Sequence, residues 1–184
     1  MTAKIVLDAS SREIDVLIVI DTEFVKNKYP NPSQDPNAPT GIDHAGEFML
    51  CTGSRGPVVG QGTADLKFQA NPGDIVSFAA TSIYANSDDA VIVYGINYWS
   101  GDHVFNTFVP NVVVRRGAAV PDPDTMNGLP AMQVAVNFAS FGAKVKAGGT
   151  ENFYVFFALY VLGADGETQN LFGYFYWDPT IVVS

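Results

Sequence analysis

The side chains best suited to acid–base, nucleophilic or metal chemistry in this 184-residue chain are two histidines, one cysteine and nineteen carboxylates. His44 ("GIDHAG") and His103 ("SGDHVF") both sit in polar, loop-like stretches far apart in the chain. A serine nucleophile on a sharp strand-to-helix turn would need G-x-S-x-G, but in "TGSRG" Gly53 directly precedes Ser54, which is the wrong spacing. Cys51, inside the strand-like "EFMLCTG", reads as a small buried core residue. His44, Cys51 and His103 are the ligand types of a blue-copper centre, yet the tight Cys-to-His loop of such centres is missing. Asp21 and Glu23 lie two apart, on one face if the segment is a strand, and read as strand-end solvation; Asp-Thr-Glu is not the Asp-Thr-Gly of aspartic proteases. "GQGTAD" lacks a third glycine and precedes a strand pattern, so it does not cradle phosphate. No enzyme and no catalytic set is expected.

Oxygen ligands and aromatic faces are more plentiful. Asp35, Asn37 and Asp43 in "NPSQDPNAPTGIDH", with Asp88, Asp89, Asp122, Asp124 and Asn127 elsewhere, are the donors a hard cation such as calcium prefers. The same residues are ordinary turn formers, and "DPDTMNG" departs from the EF-hand pattern at Met126. Tyr84, Tyr98, Trp99, Tyr176 and Trp177 offer aromatic faces of the kind that holds a sugar, with Asp178 as a polar group beside Trp177. The candidate ligand or interface residues are therefore Asp35, Asn37, Asp43, Tyr98, Trp99, Trp177 and Asp178. No transition-metal set and no cofactor is expected; calcium is the one ion considered.

Composition narrows the partners. Ten basic against nineteen acidic residues give a formal charge of −9, and Arg115-Arg116 is the only adjacent basic pair. That field repels phosphate backbones and anionic lipid, so neither nucleic acid nor a membrane surface is expected as partner. One cysteine excludes an intrachain disulfide. Asp8, Arg12, Glu13 and Asp15 interrupt any signal-like apolar region, and "FYVFFALYVLG" is too short to span a bilayer. A soluble cytoplasmic protein is expected, with export by a route lacking a cleaved signal still compatible. Low charge beside 47% hydrophobic residues points to a buried subunit interface, so a homo-oligomer, with the dimer favoured, is expected.

The elements that must position these residues are strands. "MQVAVNFAS" alternates, with Met132, Val134, Val136 and Phe138 on one face, and reads as a half-buried strand. "LKFQA" and "DIVSFAA" flank the turn "NPGD", and Asp165-Gly166 marks a hairpin before the closing strands. "AVIVYGINYW" and "FYVFFALYVL" read as central strands or as strands at an interface. Pro179 interrupts the last ladder and predicts a bend or an edge near Asp178. No window shows a helical stripe; a turn or two of helix is expected only around "DPDTMNGLPA". The expected fold is all-β, one domain over residues 1–184 with residues 1–13 as lead-in. It is a two-sheet antiparallel β-sandwich with little helix and long end loops at 27–47 and 117–131. The first of these loops, rich in proline, is expected to pack across a sheet edge and block further pairing.

"IDVLIVIDTE", "YPNPSQDPNAPTGI", "GQGTADLKFQANPGDIVSF" and "FYVFFALYVLGADGETQNLFGYFYWDPTI" resemble successive blocks of the bacterial PixA/AidA inclusion-body protein family, from about Ile14 to Val183. The resemblance implies a protein made late in growth or under quorum-sensing control, in some members stored as inclusions and in some associated with host interaction. It carries no catalytic residues over. Inclusion-forming members are methionine-rich, whereas this chain has four Met, so the quorum-regulated branch is the closer likeness. The expected function is that of a non-enzymatic, self-associating interaction protein. The alternative is a lectin-like carbohydrate-binding module assisted by calcium, and a host protein is a further possible partner.

Overall fold

The computed structural model describes residues 11–184, so most of the expected lead-in lies outside the described residues. In chain order the elements are β1 (Glu13–Ile20), α1 (Thr22–Lys28), β2 (Thr40–Gly41), β3 (Glu47–Thr52), β4 (Leu66–Phe68) and β5 (Ile75–Ser82). They continue with β6 (Ala90–Gly101), β7 (Val109–Val120), β8 (Met132–Lys144), β9 (Gly149–Leu162), β10 (Gln169–Trp177) and β11 (Thr180–Val183). One sheet has the order β3-β1-β5-β8-β7. In the other, β9 pairs with β6 along one edge and with β10 and then β11 along the opposite edge, while β2 and β4 flank β10 and β11.

Both sheets are mixed, which corrects the expectation of antiparallel pairing throughout. β1 runs parallel to β5, β2 to β10 and β4 to β11. A parallel neighbour needs a crossover of about a dozen residues or more, and the long turn-rich segments supply that length. The hairpin at Asp165-Gly166 and the turn at Asn71–Asp74 form as expected, with Gly166 at φ +70° and Asp74 N donating to the Asn71 carbonyl at 3.0 Å.

One buried cluster draws on both sheets: Ile14, Val16, Ile18 and Ile20 of β1 and Phe78 of β5 join Phe153, Val155 and Phe157 of β9 and Phe175 and Trp177 of β10. Each such side chain contributes roughly 1.5–3 kcal/mol by leaving water. Trp177, 0% exposed, packs edge-on to Phe157 with centroids 6.0 Å apart. It is core and no ligand platform, a second correction. A period-two pattern ending in Trp identifies the inward face but cannot say that a second layer closes over its last residue.

The helix appears at Thr22–Lys28, outside the predicted "DPDTMNGLPA". Asp21 is its N-cap, accepting from Phe24 N at 3.0 Å, and Glu23 sits in the first turn with Lys26 and Lys28 in the last. The pair read as a strand face thus serves helix ends, where a capping carboxylate and charges matched to the helix dipole favour the turn. Seven residues are too few to display a stripe of the helical period. The ladder does break at Asp178 and Pro179, where β10 gives way to β11 and the Pro179 carbonyl accepts from Phe153 N at 3.1 Å. Among the described residues β6 pairs only with β9, so of its two readings, as a central strand or as a strand at an interface, the central one is corrected.

The largest departure concerns β7 and β8. Among the described residues only Phe141–Lys144 of β8 pairs with β5, whereas Met132–Phe138 pairs with β7 alone. The two strands leave the sheet as a ribbon. The expected inward face of "MQVAVNFAS" is only partly covered: Val134 and Val136 are partly buried, whereas Phe138 is 51% exposed and its cross-strand partner Val113 is 44% exposed. Alternation marks an apolar face, but it carries no information on whether another layer covers that face.

Candidate functional site

The proline-rich segment runs along the outer edge of β10. The Ser33 carbonyl accepts from Tyr174 N at 2.9 Å, Gln34 Nε2 donates to the Phe172 carbonyl at 2.7 Å, and Ile42 N donates to the Tyr176 carbonyl at 2.9 Å. Thr40 and Gly41 pair in parallel with Phe175 and Tyr176. The approach is close enough to demand glycine. A Cβ on Gly173 would lie 2.4 Å from Pro32 Cγ, and one on Gly41 would lie 2.9 Å from the Tyr176 ring. Prolines hold this strap in few conformations, which reduces the entropy lost on ordering it. The expectation that the segment packs across a sheet edge is met.

Asp35 and Asn37 shape the strap. Asp35 Oδ1 accepts from Asn37 N at 2.8 Å and from Asn37 Nδ2 at 3.1 Å. Asp43 pairs with Lys28, whose hydrogen bond holds the carboxyl below its usual range. Among the described residues no three His, Cys, Asp or Glu side chains converge as metal ligands.

Asp178 meets His44 instead. His44 Nε2 lies 3.2 Å from Asp178 Oδ1, and Nδ1 lies 3.5 Å from Asp65 Oδ2. Asp65 Oδ1 also accepts from Thr180 N at 2.7 Å. Burial depresses the imidazole pKa, but the Asp178 hydrogen bond and the charges of Asp65 and Asp178 outweigh it, and the net shift is upward. The arrangement fastens three chain segments at the β10–β11 break. Asp65 was not singled out from sequence, because its hydrogen-bond donor Thr180 lies more than a hundred residues away. Nearby, Glu47 is buried, its Oε1 has no hydrogen-bond partner among the described residues, and burial pushes its carboxyl up to about 7 against backbone donors that include Gly46 N at 3.1 Å.

The outward face of the β9 sheet is a field of aromatics. Tyr154 stands edge-on to Tyr176 at 5.2 Å, Tyr94 lies 5.7 Å from Tyr174 and 5.9 Å from Phe156, and Trp99 lies 5.6 Å from Tyr154. Tyr94 Oη donates to the Pro36 carbonyl at 3.0 Å, so the strap borders this field. Trp99 is 48% exposed. Tyr98 instead stacks on His103 at 4.3 Å.

That stacked pair edges a cavity of 310 Å³ lined also by Asn106, Lys146, Phe108 and Glu151. A histidine here stands near a buried carboxylate, the combination an enzyme reading would require. Burial raises the Glu151 pKa, and two backbone donors, Val104 N and Phe105 N, oppose the shift. Glu151 Oε2 takes both donors and holds the loop after β6. The candidate residues are thus dispersed: Asp43 and Asp178 flank His44, Asp35 and Asn37 form the strap's turn, Tyr98 and Trp99 lie on β6, and Trp177 is core.

Residues 12–183 match the family PixA, inclusion body protein. The chain belongs to the PixA inclusion body protein family. A crystal structure of inclusion body protein (PixA) from Burkholderia cenocepacia J2315 is similar to it at 32% identity and TM-score 0.82, over 98% of this chain and 100% of that one. Comparison with curated proteins gives no match. No described helix is long and apolar enough to cross a membrane.

In this PixA-family chain the clearest electrostatic expectation concerns Glu47. Its carboxyl is raised from 4.5 to about 7, so between these pH values the unfolded chain ionises while the folded one keeps its proton. Stability from this group therefore falls as pH rises through that window, by on the order of 3 kcal/mol in all. His44, raised above 6.5, loses its contribution as pH rises through its folded value, in the same sense. The quantity to read is thus the difference between wild type and Glu47→Gln in urea unfolding at pH 5 and pH 8. The variant is expected to gain about 2 kcal/mol relative to wild type between the two pH values; an equal difference at both would contradict the account.

Proposed function

We propose that this PixA-family protein is a non-enzymatic interaction protein, a single two-sheet β-sandwich domain that acts by associating with itself. The observation that carries the reading is the β7–β8 ribbon. Of the eighteen exposed large apolar side chains among the described residues, eight, including Val112, Val113, Val114, Met132 and Phe138, lie between Val109 and Phe138. Two strands alone are marginally stable in water, and an exposed apolar edge is a template for pairing. A ribbon of this kind is stabilised by a partner that covers it. Quorum-sensing or late-growth control and host interaction accompany the proposal on the strength of the family resemblance alone, and a cytoplasmic location carries over from the sequence reading.

Sedimentation velocity tests the reading. Wild type is expected at a multiple of the 19.8 kDa chain mass. The triple variant Val112→Thr, Val114→Thr, Phe138→Thr is expected at the monomer mass with its circular dichroism unchanged. A wild-type monomer at high concentration would overturn self-association.

A second reading, a carbohydrate site, is favoured by exposed Trp99 beside Tyr154 and the Tyr176 ring. Aromatic faces edged by polar loop groups are a usual sugar platform. On a glycan array this reading expects saturable binding to a related set of sugars, lost in Trp99→Ala. Loss with chelator would bring calcium into that site, and no binding in either condition would remove the reading.

A further inference from the structure

The ribbon has an edge as well as faces. β7 ends the first sheet, and its outer edge has no neighbouring strand among the described residues. The run Val109–Arg115 is in regular register with β8, and the register then shifts between Arg115 and Ala118. Pro110 lies inside this run and has no N–H, so its nitrogen belongs on the open side of the strand. By alternation, the backbone groups of Val112 and Val114 then also face outward. Resting on the self-association reading above, we propose that β7 pairs antiparallel with β7 of a second copy across a two-fold axis at Val113, joining two five-stranded sheets into one.

Three observations favour a second copy in this register. First, the interaction is self-complementary. Val112 and Val114 exchange backbone hydrogen bonds with Val114 and Val112 of the other copy, Val113 faces itself, and Arg115 lies across from Asn111 instead of another arginine. Second, the arm is long: its strands have 12 and 13 residues, so it reaches beyond the paired run onto the other copy. Third, the charges complement. The arm's strands carry Arg115, Arg116 and Lys144 and no carboxylate, within a chain of net charge −9. The same register lays each arm along the other body. It carries the tip, with Asp122, Asp124 and exposed Met126, toward the cavity edged by His103 and Lys146. The shift after Arg115 limits the paired run, and the two-fold closes the assembly at a dimer.

Single-cysteine cross-linking tests the register. Native Cys51 is buried and its thiol is pushed up to about 11, so an introduced cysteine is the reactive one. Residues facing each other at a non-hydrogen-bonded position have Cα atoms about 4.5 Å apart, within disulfide reach. Val113→Cys is expected to give at least tenfold more covalent dimer under mild oxidation than Asn111→Cys or Arg115→Cys alone. A mixture of the last two is expected to cross-link as the mixed pair. If sedimentation gives a dimer while Val113→Cys stays uncross-linked, the edge pairing is wrong and self-association stands. A monomer at every concentration removes both. A buffer monomer that floats with phosphatidylcholine vesicles would put lipid in place of the second copy and overturn the proposal.

Discussion

The second sheet depends on β9 more than on any other strand. Fourteen residues long, it pairs along one edge with β6 and along the other first with β10 and then, beyond the Pro179 break, with β11. Its inward side chains, Phe153, Val155, Phe157 and Leu159, lie in the shared core. Its outward ones, Tyr154 and Phe156, anchor the exposed aromatic field. Period-two alternation on one strand thus serves stability on one face and display on the other.

The β10 edge of this sheet and the β7 edge of the other are treated in opposite ways. At β10 the open edge is covered by the strap, with Pro32 pressed on Gly173 and Gly41 on Tyr176. The His44 contacts with Asp65 and Asp178 secure the corner beside it. At β7 no comparable cover exists among the described residues, and β-branched side chains stand in water on both faces of the ribbon. A chain that blocks one edge with four prolines and leaves the other long, apolar and free of acidic side chains separates a closed side from an associating one.

Much of this was legible in the residues. Leu66 and Phe68 face inward, Cys51 is buried, the Asp165-Gly166 hairpin forms and Pro179 breaks the ladder, because each depends on local chemistry or on period. What was not legible depends on distance. Parallel pairing of β1 with β5 joins segments separated by a long crossover, and Asp65 reaches Thr180 across the whole second half of the chain. Trp177 and Phe138 show the same limit in opposite directions: both end alternating runs, yet one is sealed in the core and the other stands in solvent. α1 escaped because a seven-residue helix declares itself by its cap at Asp21 and by end charges, with no stripe to find.

The most direct test of the central claim is amide hydrogen exchange along β7 over a range of protein concentrations. If a second copy covers the edge, the amides of Val112 and Val114 exchange slowly in concentrated solution and faster on dilution, while the β9 amides stay protected throughout. Rapid exchange at Val112 and Val114, independent of concentration, would contradict the account and leave the ribbon an uncovered arm.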